Sequence, residues 1–288
     1  MKYLTSIFFL IILSACSGTK RVVETQKSKE STEAIVKAKD SIITEKTVAV
    51  VNDSIAKNEI IKEEEPLIEH DTTFETFNHS SWNNLLREHV SNSGNVNYLT
   101  FKNNRKTLLN YIDSLGENMP TKIWSKEDKL AYWINAYNAM TIDLILRHYP
   151  IKSIKDIDKP WEQRYWKLDE KWYNLNEIEH KILRKMDESR IHFAIVCASV
   201  SCPKLLNEAY TASNLDEQLT KVTKGFLSDS ERNSITENNL KLSKIFQWFA
   251  KDFKQNGSLI DFLNQYSDVQ ISAKAKKSFK SYNWDLNE

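Results

Sequence analysis

The residues most able to do chemistry lie in one segment, residues 191–205, which reads IHFAIVCASVSCPKL. This segment holds His192 and two of the three cysteines of the chain, Cys197 and Cys202. A cysteine becomes a strong nucleophile when a nearby histidine or a helix N-terminus lowers its pKa. A run of β-forming residues that ends in a small-residue loop presents such a group well, because the strand is rigid and the loop is accessible. The segment therefore predicts a cysteine-based site.

Cys202 is the preferred nucleophile of this segment. It follows a predicted strand over residues 191–199, in the loop where a thiol is accessible. Cys197 lies within the strand, where a small buried side chain or a short disulfide to Cys202 is the alternative to a catalytic role. Side chains alternate along a strand, so His192 and Cys197 are expected on opposite faces. Both are therefore secondary candidates.

A helix predicted over residues 176–185 supplies the preferred base, His180. Glu177 lies three residues before it and Arg184 four residues after it, so helical spacing places all three on one stripe. In a catalytic arrangement Glu177 orients the imidazole, as a secondary site residue, and Arg184 binds an anionic group. The structural alternative is an exposed ladder of ion pairs along the helix.

Two amides lie on the longest predicted helix, in the sequence WINAYN. Asn135 is the candidate third member of the site, because an asparagine can orient an imidazole or donate a hydrogen bond to an oxyanion. Asn138 is a candidate binding residue. Alternatively, both amides hydrogen-bond loop backbone and hold the core in register, since buried amides need partners.

Neither a metal nor a cofactor is predicted. The spacing of the cysteines and histidines around residues 180–202 matches no common zinc pattern. The chain has only five glycines and no glycine-rich phosphate loop, so a nucleotide-binding fold is a poor fit. The net charge of +1 gives no argument for nucleic acid as a partner.

The elements that must position these residues are mainly helices. The capping sequence at Ser125 predicts a long helix that ends near His148, with one apolar face. Hairpins are predicted around residues 169–171 and 237–239, and a last strand over 279–286. The run 191–199 is apolar throughout, which predicts a central strand buried on both sides. The fold class is α+β: a helix-rich single domain around a small sheet.

Three blocks of this sequence resemble a known family. They are KLAYWINAYNAMTIDLI at 129–145, LNEIEHKILR at 175–184 and the segment 191–205, followed by LSKIFQWFAKDF and SYNWDLN. In this order they are similar to the domain of unknown function family 547, over roughly residues 80–287. The family has no assigned activity, so the resemblance implies one envelope domain and points to the same blocks.

The N-terminus predicts a bacterial lipoprotein. Lys2 precedes an apolar run that is too short to cross a bilayer, and Leu-Ser-Ala-Cys ends at Cys16, the expected site of lipidation. Residues 1–16 are the predicted signal peptide. Residues 17–73 contain no Phe, Trp or Tyr and are predicted to be a charged, disordered tether. The single globular domain is predicted over residues 74–288. We expect a membrane partner through the lipid on Cys16, in the bacterial cell envelope at the outer membrane.

Two functions fit these expectations, and the sequence leaves open whether the protein is an enzyme. The first is a thiol hydrolase or acyl transferase on peptide or cell-wall material, with Cys202 as nucleophile, His180 as base and Asn135 as orienting residue. The second is a non-catalytic binding or assembly module of the envelope, in which the same blocks are structural.

Overall fold

A computed structural model describes residues 76–288. The predicted signal peptide with Cys16, the predicted tether and the predicted start of the domain at residue 74 lie outside these residues. The helices are α1 (Ser80–His89), α2 (Tyr98–Phe101), α3 (Arg105–Glu117), α4 (Lys126–His148), α5 (Leu175–Glu177), α6 (Ile191–Ala194), α7 (Leu215–Ser228), α8 (Ile245–Trp248) and α9 (Leu259–Tyr266). The strands are β1 (Trp166–Leu168), β2 (Lys171–Tyr173), β3 (Ser234–Ile235), β4 (Asn239–Leu242) and β5 (Lys276–Phe279).

Helix α4 is the centre of the main hydrophobic core. Ser125 caps its N-terminus by accepting a hydrogen bond from the backbone N–H of Asp128, as the sequence predicted. The prediction of a single apolar face was too narrow, because every residue from 130 to 146 is buried. A helix enclosed on all sides must satisfy its polar side chains internally, which explains why Asn135, Asn138 and Asp143 all have partners.

The sheets are small, which confirms the α+β class. Strands β1 and β2 form the predicted antiparallel hairpin, with Trp166 opposite Tyr173. Strands β3 and β4 form the second predicted hairpin, and β5 joins β4 in parallel with Asn239 opposite Lys276. None of the helices within residues 76–288 is long and apolar enough to cross a membrane.

The predicted central strand over 191–199 is wrong. Residues Ile191–Ala194 form the short helix α6, in which the N–H of Ile195 donates to the carbonyl of Ile191 at 2.9 Å. The chain then runs extended into a tight loop, with one isolated bridge between Ser199 and Leu286. The apolar run reflects burial on all sides, and burial alone does not distinguish a strand from a helical turn.

The last predicted strand is displaced along the chain. Strand β5 covers Lys276–Phe279, and beyond it the C-terminal segment forms only isolated bridges, at Asp285 with Ser153 and at Leu286 with Ser199. Helix α8, which follows Ser243, is a single turn. Trp248 of α8 and Tyr282 and Trp284 of the C-terminal segment line one cavity with the two cysteines.

Candidate functional site

The two cysteines lie in the wall of a pocket of about 350 Å³. The pocket is formed by the segments around α5, α6 and α8 and by the C-terminal segment. Its polar lining is Tyr137, Glu162, Asn176, Glu179, His180, His192, Cys197, Cys202 and Tyr282, and its aromatic walls are Trp161, Trp248, Phe249 and Trp284. The structure therefore brings His180, His192, Cys197 and Cys202 to one cavity, as a cysteine-based site requires.

Cys197 is the sulfur with the most hydrogen-bonding partners. Its Sγ lies 3.1 Å from the hydroxyl of Ser199, 3.2 Å from the hydroxyl of Tyr282 and 3.2 Å from the Sγ of Cys202. Each of these groups can donate a hydrogen bond to a thiolate. Hydrogen bonds from Cys202, Ser199 and Tyr282 lower the pKa of Cys197 against the opposing effect of burial. The arrangement favours Cys197 as a thiolate.

Cys202 has the opposite environment. Its side chain is 3% exposed, and the backbone N–H of Cys197 donates to its sulfur at 3.0 Å. Burial, followed by the hydrogen bond to Cys197, raises the pKa of the Cys202 thiol well above its usual value. The geometry thus favours Cys197 over the sequence-preferred Cys202, because Cys197 is only half-buried and is stabilised as an anion.

The loop between the two cysteines is held from several sides. Ala198 adopts the left-handed region with φ of 54°, which reverses the chain directly after Cys197. The guanidinium of Arg232 donates to the carbonyl of Cys202 at 2.8 Å and to that of Val200 at 2.7 Å. The loop is therefore a rigid support for the sulfurs.

Glu179 is a site residue that sequence reasoning missed. Its buried carboxylate accepts a hydrogen bond from Tyr137 at 3.2 Å. Burial raises the pKa of Glu179 to about 7, although Tyr137 and Arg184 act in the opposite direction. A carboxyl group that titrates near neutral pH in a pocket is a candidate general acid and base.

A π-helical turn interrupts the predicted helical stripe of Glu177, His180 and Arg184. Residues Ile178–Ile182 form this turn between α5 and the following 3₁₀ turn. A π turn adds a residue to the turn, which changes the faces that side chains share. His180 and Arg184, four residues apart, still contact each other, whereas Glu177 has other partners. Glu179 lines the pocket, and no sequence signal apart from its place in the block 175–184 pointed to it.

Glu177 is engaged outside the pocket. Its carboxylate pairs with Arg164 and with Lys181 at 3.3 Å, and Lys171 lies 3.5 Å away. The hydrogen bond from Arg164, with the lysines, lowers the pKa of Glu177 to about 2 despite opposition from burial. These contacts match the ion-pair alternative more closely than a role in orienting His180.

His180 and His192 belong to one polar network with Arg184 and Asp252. Arg184 holds both carboxylate oxygens of Asp252, at 2.5 and 2.8 Å, and donates to Nδ1 of His180 at 3.0 Å. His192 Nε2 lies 2.8 Å from Asp252 and stacks on Phe249. Arg184 therefore orients a carboxylate. Within residues 76–288 no hydrogen bond joins either imidazole to a cysteine.

The titration of this network favours neutral imidazoles. Burial lowers the pKa of His192, and the raising effect of Asp252 does not overcome it. Burial and the charge of Arg184 likewise lower the pKa of His180. For Asp252, burial opposes ionisation, but hydrogen bonds from Arg184 and His192 hold its pKa well below the usual range. The expected neutral-pH state is an anionic Asp252 with two neutral histidines.

The two amides of α4 clamp backbone segments. Asn135 donates to the carbonyl of Tyr210 at 2.8 Å and accepts from its N–H at 3.0 Å. Asn138 donates to the carbonyl of Ala194 at 2.9 Å and accepts from the N–H of Val196 at 3.0 Å. Asn138 thus positions the chain directly before Cys197, and neither amide lines the pocket.

Replacement of Asn138 by alanine is expected to lower the free energy of unfolding by about 2–4 kcal/mol, because the buried carbonyl of Ala194 and N–H of Val196 lose their partners. Urea unfolding followed by circular dichroism measures this loss. The exposed Asn256→Ala is the matched control, with an effect within about 0.5 kcal/mol. Equal effects of the two substitutions would contradict the clamp.

These features define a helix-rich α+β domain with a thiol pocket. Residues 121–227 match the family model described as "Protein of unknown function, DUF547", so this stretch is similar to that family and the resemblance is confirmed over these residues. The match includes Glu179, His192 and both cysteines, whereas Asp252 and Tyr282 lie beyond it. Searches of curated proteins and of solved structures found no significant match.

Proposed function

We propose that this domain is a cysteine-dependent acyl-transfer enzyme, a hydrolase or acyl transferase, acting on peptide or cell-wall material, with Cys197 as the nucleophile. The observation that carries the proposal is the position of the Cys197 sulfur. It lies in the wall of a pocket, surrounded by the hydroxyls of Ser199 and Tyr282 and by the thiol of Cys202. Such a set of donors stabilises a thiolate, the form that attacks a carbonyl carbon.

Glu179 is the proposed acid and base of the reaction. A negative charge on Glu179 raises the pKa of Cys197, so a protonated Glu179 and an anionic Cys197 favour each other. In the first step the Cys197 thiolate attacks the carbonyl carbon and the acid form of Glu179 gives its proton to the leaving group. In the second step the Glu179 carboxylate takes a proton from water or another acceptor, which then attacks the thioester.

The aromatic walls are the proposed binding surface. Trp248 and Trp284 stack with their ring centroids 5.7 Å apart, and Tyr282 lies 4.6 Å from Trp284. Trp248 is 47% exposed, so its ring is available at the pocket mouth. Flat aromatic faces above a small polar floor suit a substrate with an apolar or ring-shaped portion next to its acyl group.

An activated acetyl ester tests the proposal without knowledge of the natural substrate. The soluble domain, residues 76–288, is mixed with p-nitrophenyl acetate near neutral pH, quenched with acid and analysed by mass spectrometry of its peptides. We expect one acetyl group on Cys197 and a burst of nitrophenolate, the mark of an acyl-enzyme. Acetylation of surface lysines alone, with both thiols unmodified, would support the non-catalytic module instead.

We also propose that the protein is anchored to the outer membrane of a bacterial envelope by a lipid on Cys16. The support is the short apolar run after Lys2 that ends in Leu-Ser-Ala-Cys. The full chain expressed in a bacterium is expected to enter the detergent phase on Triton X-114 partitioning, and Cys16→Ala to enter the aqueous phase. Equal partitioning of the two forms would contradict lipidation.

A further inference from the structure

The two sulfurs of the pocket are close enough to react with each other. The Sγ atoms of Cys197 and Cys202 lie 3.2 Å apart and both cysteines are free. A disulfide has a bond of about 2.05 Å, so small side-chain rotations close the remaining distance. The loop reversal at Ala198 and the clamp of Arg232 on the Cys202 carbonyl fix the two residues face to face.

The two thiols differ in access. Cys197 is half-buried and lies in the pocket wall, whereas Cys202 is 3% exposed. A small reagent that enters the pocket therefore meets Cys197 first, and Cys202 is placed to react with whatever forms on Cys197. In a pair of thiols that forms a disulfide in two steps, one sulfur is attacked from solvent and the other completes the bond.

We propose that Cys197 and Cys202 are a dithiol pair that reacts with hydroperoxides, in which Cys197 is oxidised first and Cys202 converts the product into an intramolecular disulfide. This proposal does not depend on acyl transfer, because the peroxide and the two sulfurs are the only reactants. It gives the buried Cys202 thiol a covalent role, whereas in the acyl-transfer reaction this thiol only donates a hydrogen bond to Cys197.

The chemistry balances in two steps. The Cys197 thiolate attacks the terminal oxygen of the hydroperoxide, the O–O bond breaks, and the alkoxide or hydroxide takes a proton and leaves as an alcohol or water. The sulfur of Cys202 then attacks the sulfenic sulfur of Cys197, the S–O bond breaks, and water leaves with the proton of Cys202. The two sulfurs are oxidised, the peroxide is reduced, and a dithiol reductant restores both thiols by exchange.

The hydrogen-bond pattern supports this order of events. The three donors around the Cys197 sulfur lower the pKa of this thiol, and burial raises the pKa of Cys202. The same contacts hold Cys202 as a neutral thiol until Cys197 has reacted. Once the sulfenic acid forms, Cys202 loses the anionic neighbour that had opposed its ionisation.

The test treats the reduced, full-length protein with a stoichiometric amount of hydrogen peroxide in the presence of dimedone. Peptide mass spectrometry then reads each sulfur. We expect a Cys197–Cys202 disulfide as the main product, no dimedone adduct, and full recovery of both thiols with dithiothreitol. In Cys202→Ser we expect dimedone on Cys197. When dimedone is left out and peroxide is in excess, so that a second equivalent is available, we expect sulfinic acid at that sulfur.

Cys197→Ser is the matched control. In this variant the Cys202 thiol is buried, so we expect it to stay reduced at least about tenfold longer than Cys197 does in the unsubstituted protein. Sulfinic acid on Cys197 of the unsubstituted domain without a disulfide would overturn the proposal, as would oxidation of Cys202 before Cys197. The product formed in the unsubstituted protein, disulfide or sulfinic acid, decides the proposal even where a variant fails to fold. Disulfide formation in a domain that no acyl ester labels would leave this proposal standing and remove the acyl-transfer one.

Discussion

Replacement of Cys197 by serine is expected to remove acyl-enzyme formation and to lower the rate of ester turnover by about 10³-fold or more. Serine keeps the size of the side chain and can accept the same hydrogen bonds from Ser199 and Tyr282. Its hydroxyl does not ionise near neutral pH, however, and no hydrogen bond in residues 76–288 joins an imidazole to this position. The nitrophenolate burst and the acetylated peptide measure the loss.

The same substitution at Cys202 is the control for this prediction. A serine there retains a donor that reaches Cys197, so Cys202→Ser is expected to keep the acyl-enzyme and to change turnover by no more than about tenfold. The reverse pattern, loss of the burst in Cys202→Ser and its retention in Cys197→Ser, would restore the nucleophile that the sequence favoured. Circular dichroism of both variants checks that the fold is intact.

The sequence predicted the segment that carries the two cysteines, and the geometry favours different roles for them. Residues 191–205 were recognised from their cysteines, and both lie in the pocket. Cys202 was preferred because Cys197 was placed inside a strand that does not form, since Ile191–Ala194 is helical. An apolar run reports burial, and burial is compatible with either conformation. One partner of Cys197, Tyr282, lies far along the chain, and local patterns cannot reveal it.

For the fold as well, the sequence predicted features that depend on neighbouring residues and missed those that join distant segments. Caps and turns predicted the start of α4 at Ser125 and the hairpin β1–β2, because both depend on neighbouring residues. The parallel pairing of β4 with β5 was missed, since it joins separated segments. Asn135 and Asn138 show how far the sequence reaches. An amide on an apolar helix predicts a hydrogen-bond partner, but only the fold identifies the backbone of Tyr210 and of Ala194 as the partners.

Replacement of Glu179 by glutamine is expected to lower ester turnover by about 10²–10⁴-fold, because the amide cannot exchange a proton with the leaving group or with water. Glutamine has the same shape and can still accept the hydrogen bond from Tyr137. The rate of the unsubstituted domain should vary with pH around the pKa of Glu179, about 7, and this inflection should disappear in the variant. A pH–rate profile of both proteins measures it.

Glu179→Gln, which is expected to lower ester turnover, is expected to raise the free energy of unfolding. Folding raises the pKa of Glu179 from 4.5 to about 7, so the folded state binds this proton more tightly than the unfolded chain does. The unsubstituted domain therefore loses about 3 kcal/mol as the pH rises through this window, whereas the variant has no such loss and is the more stable protein above about pH 7. Urea unfolding at several pH values gives the difference between the two.

Two comparisons make this last prediction decisive. Glu177→Gln is expected to be less stable than the unsubstituted domain at neutral pH. The pKa of Glu177 is lowered to about 2, so its charge stabilises the folded state at pH values above the unfolded pKa. His192→Asn tests the other titratable group of the pocket, which hydrogen-bonds Asp252. Loss of turnover in His192→Asn with full turnover in Glu179→Gln would assign proton transfer to the histidine. Loss in Glu179→Gln together with a gain in stability at neutral pH would show that a buried carboxyl is retained for its chemistry.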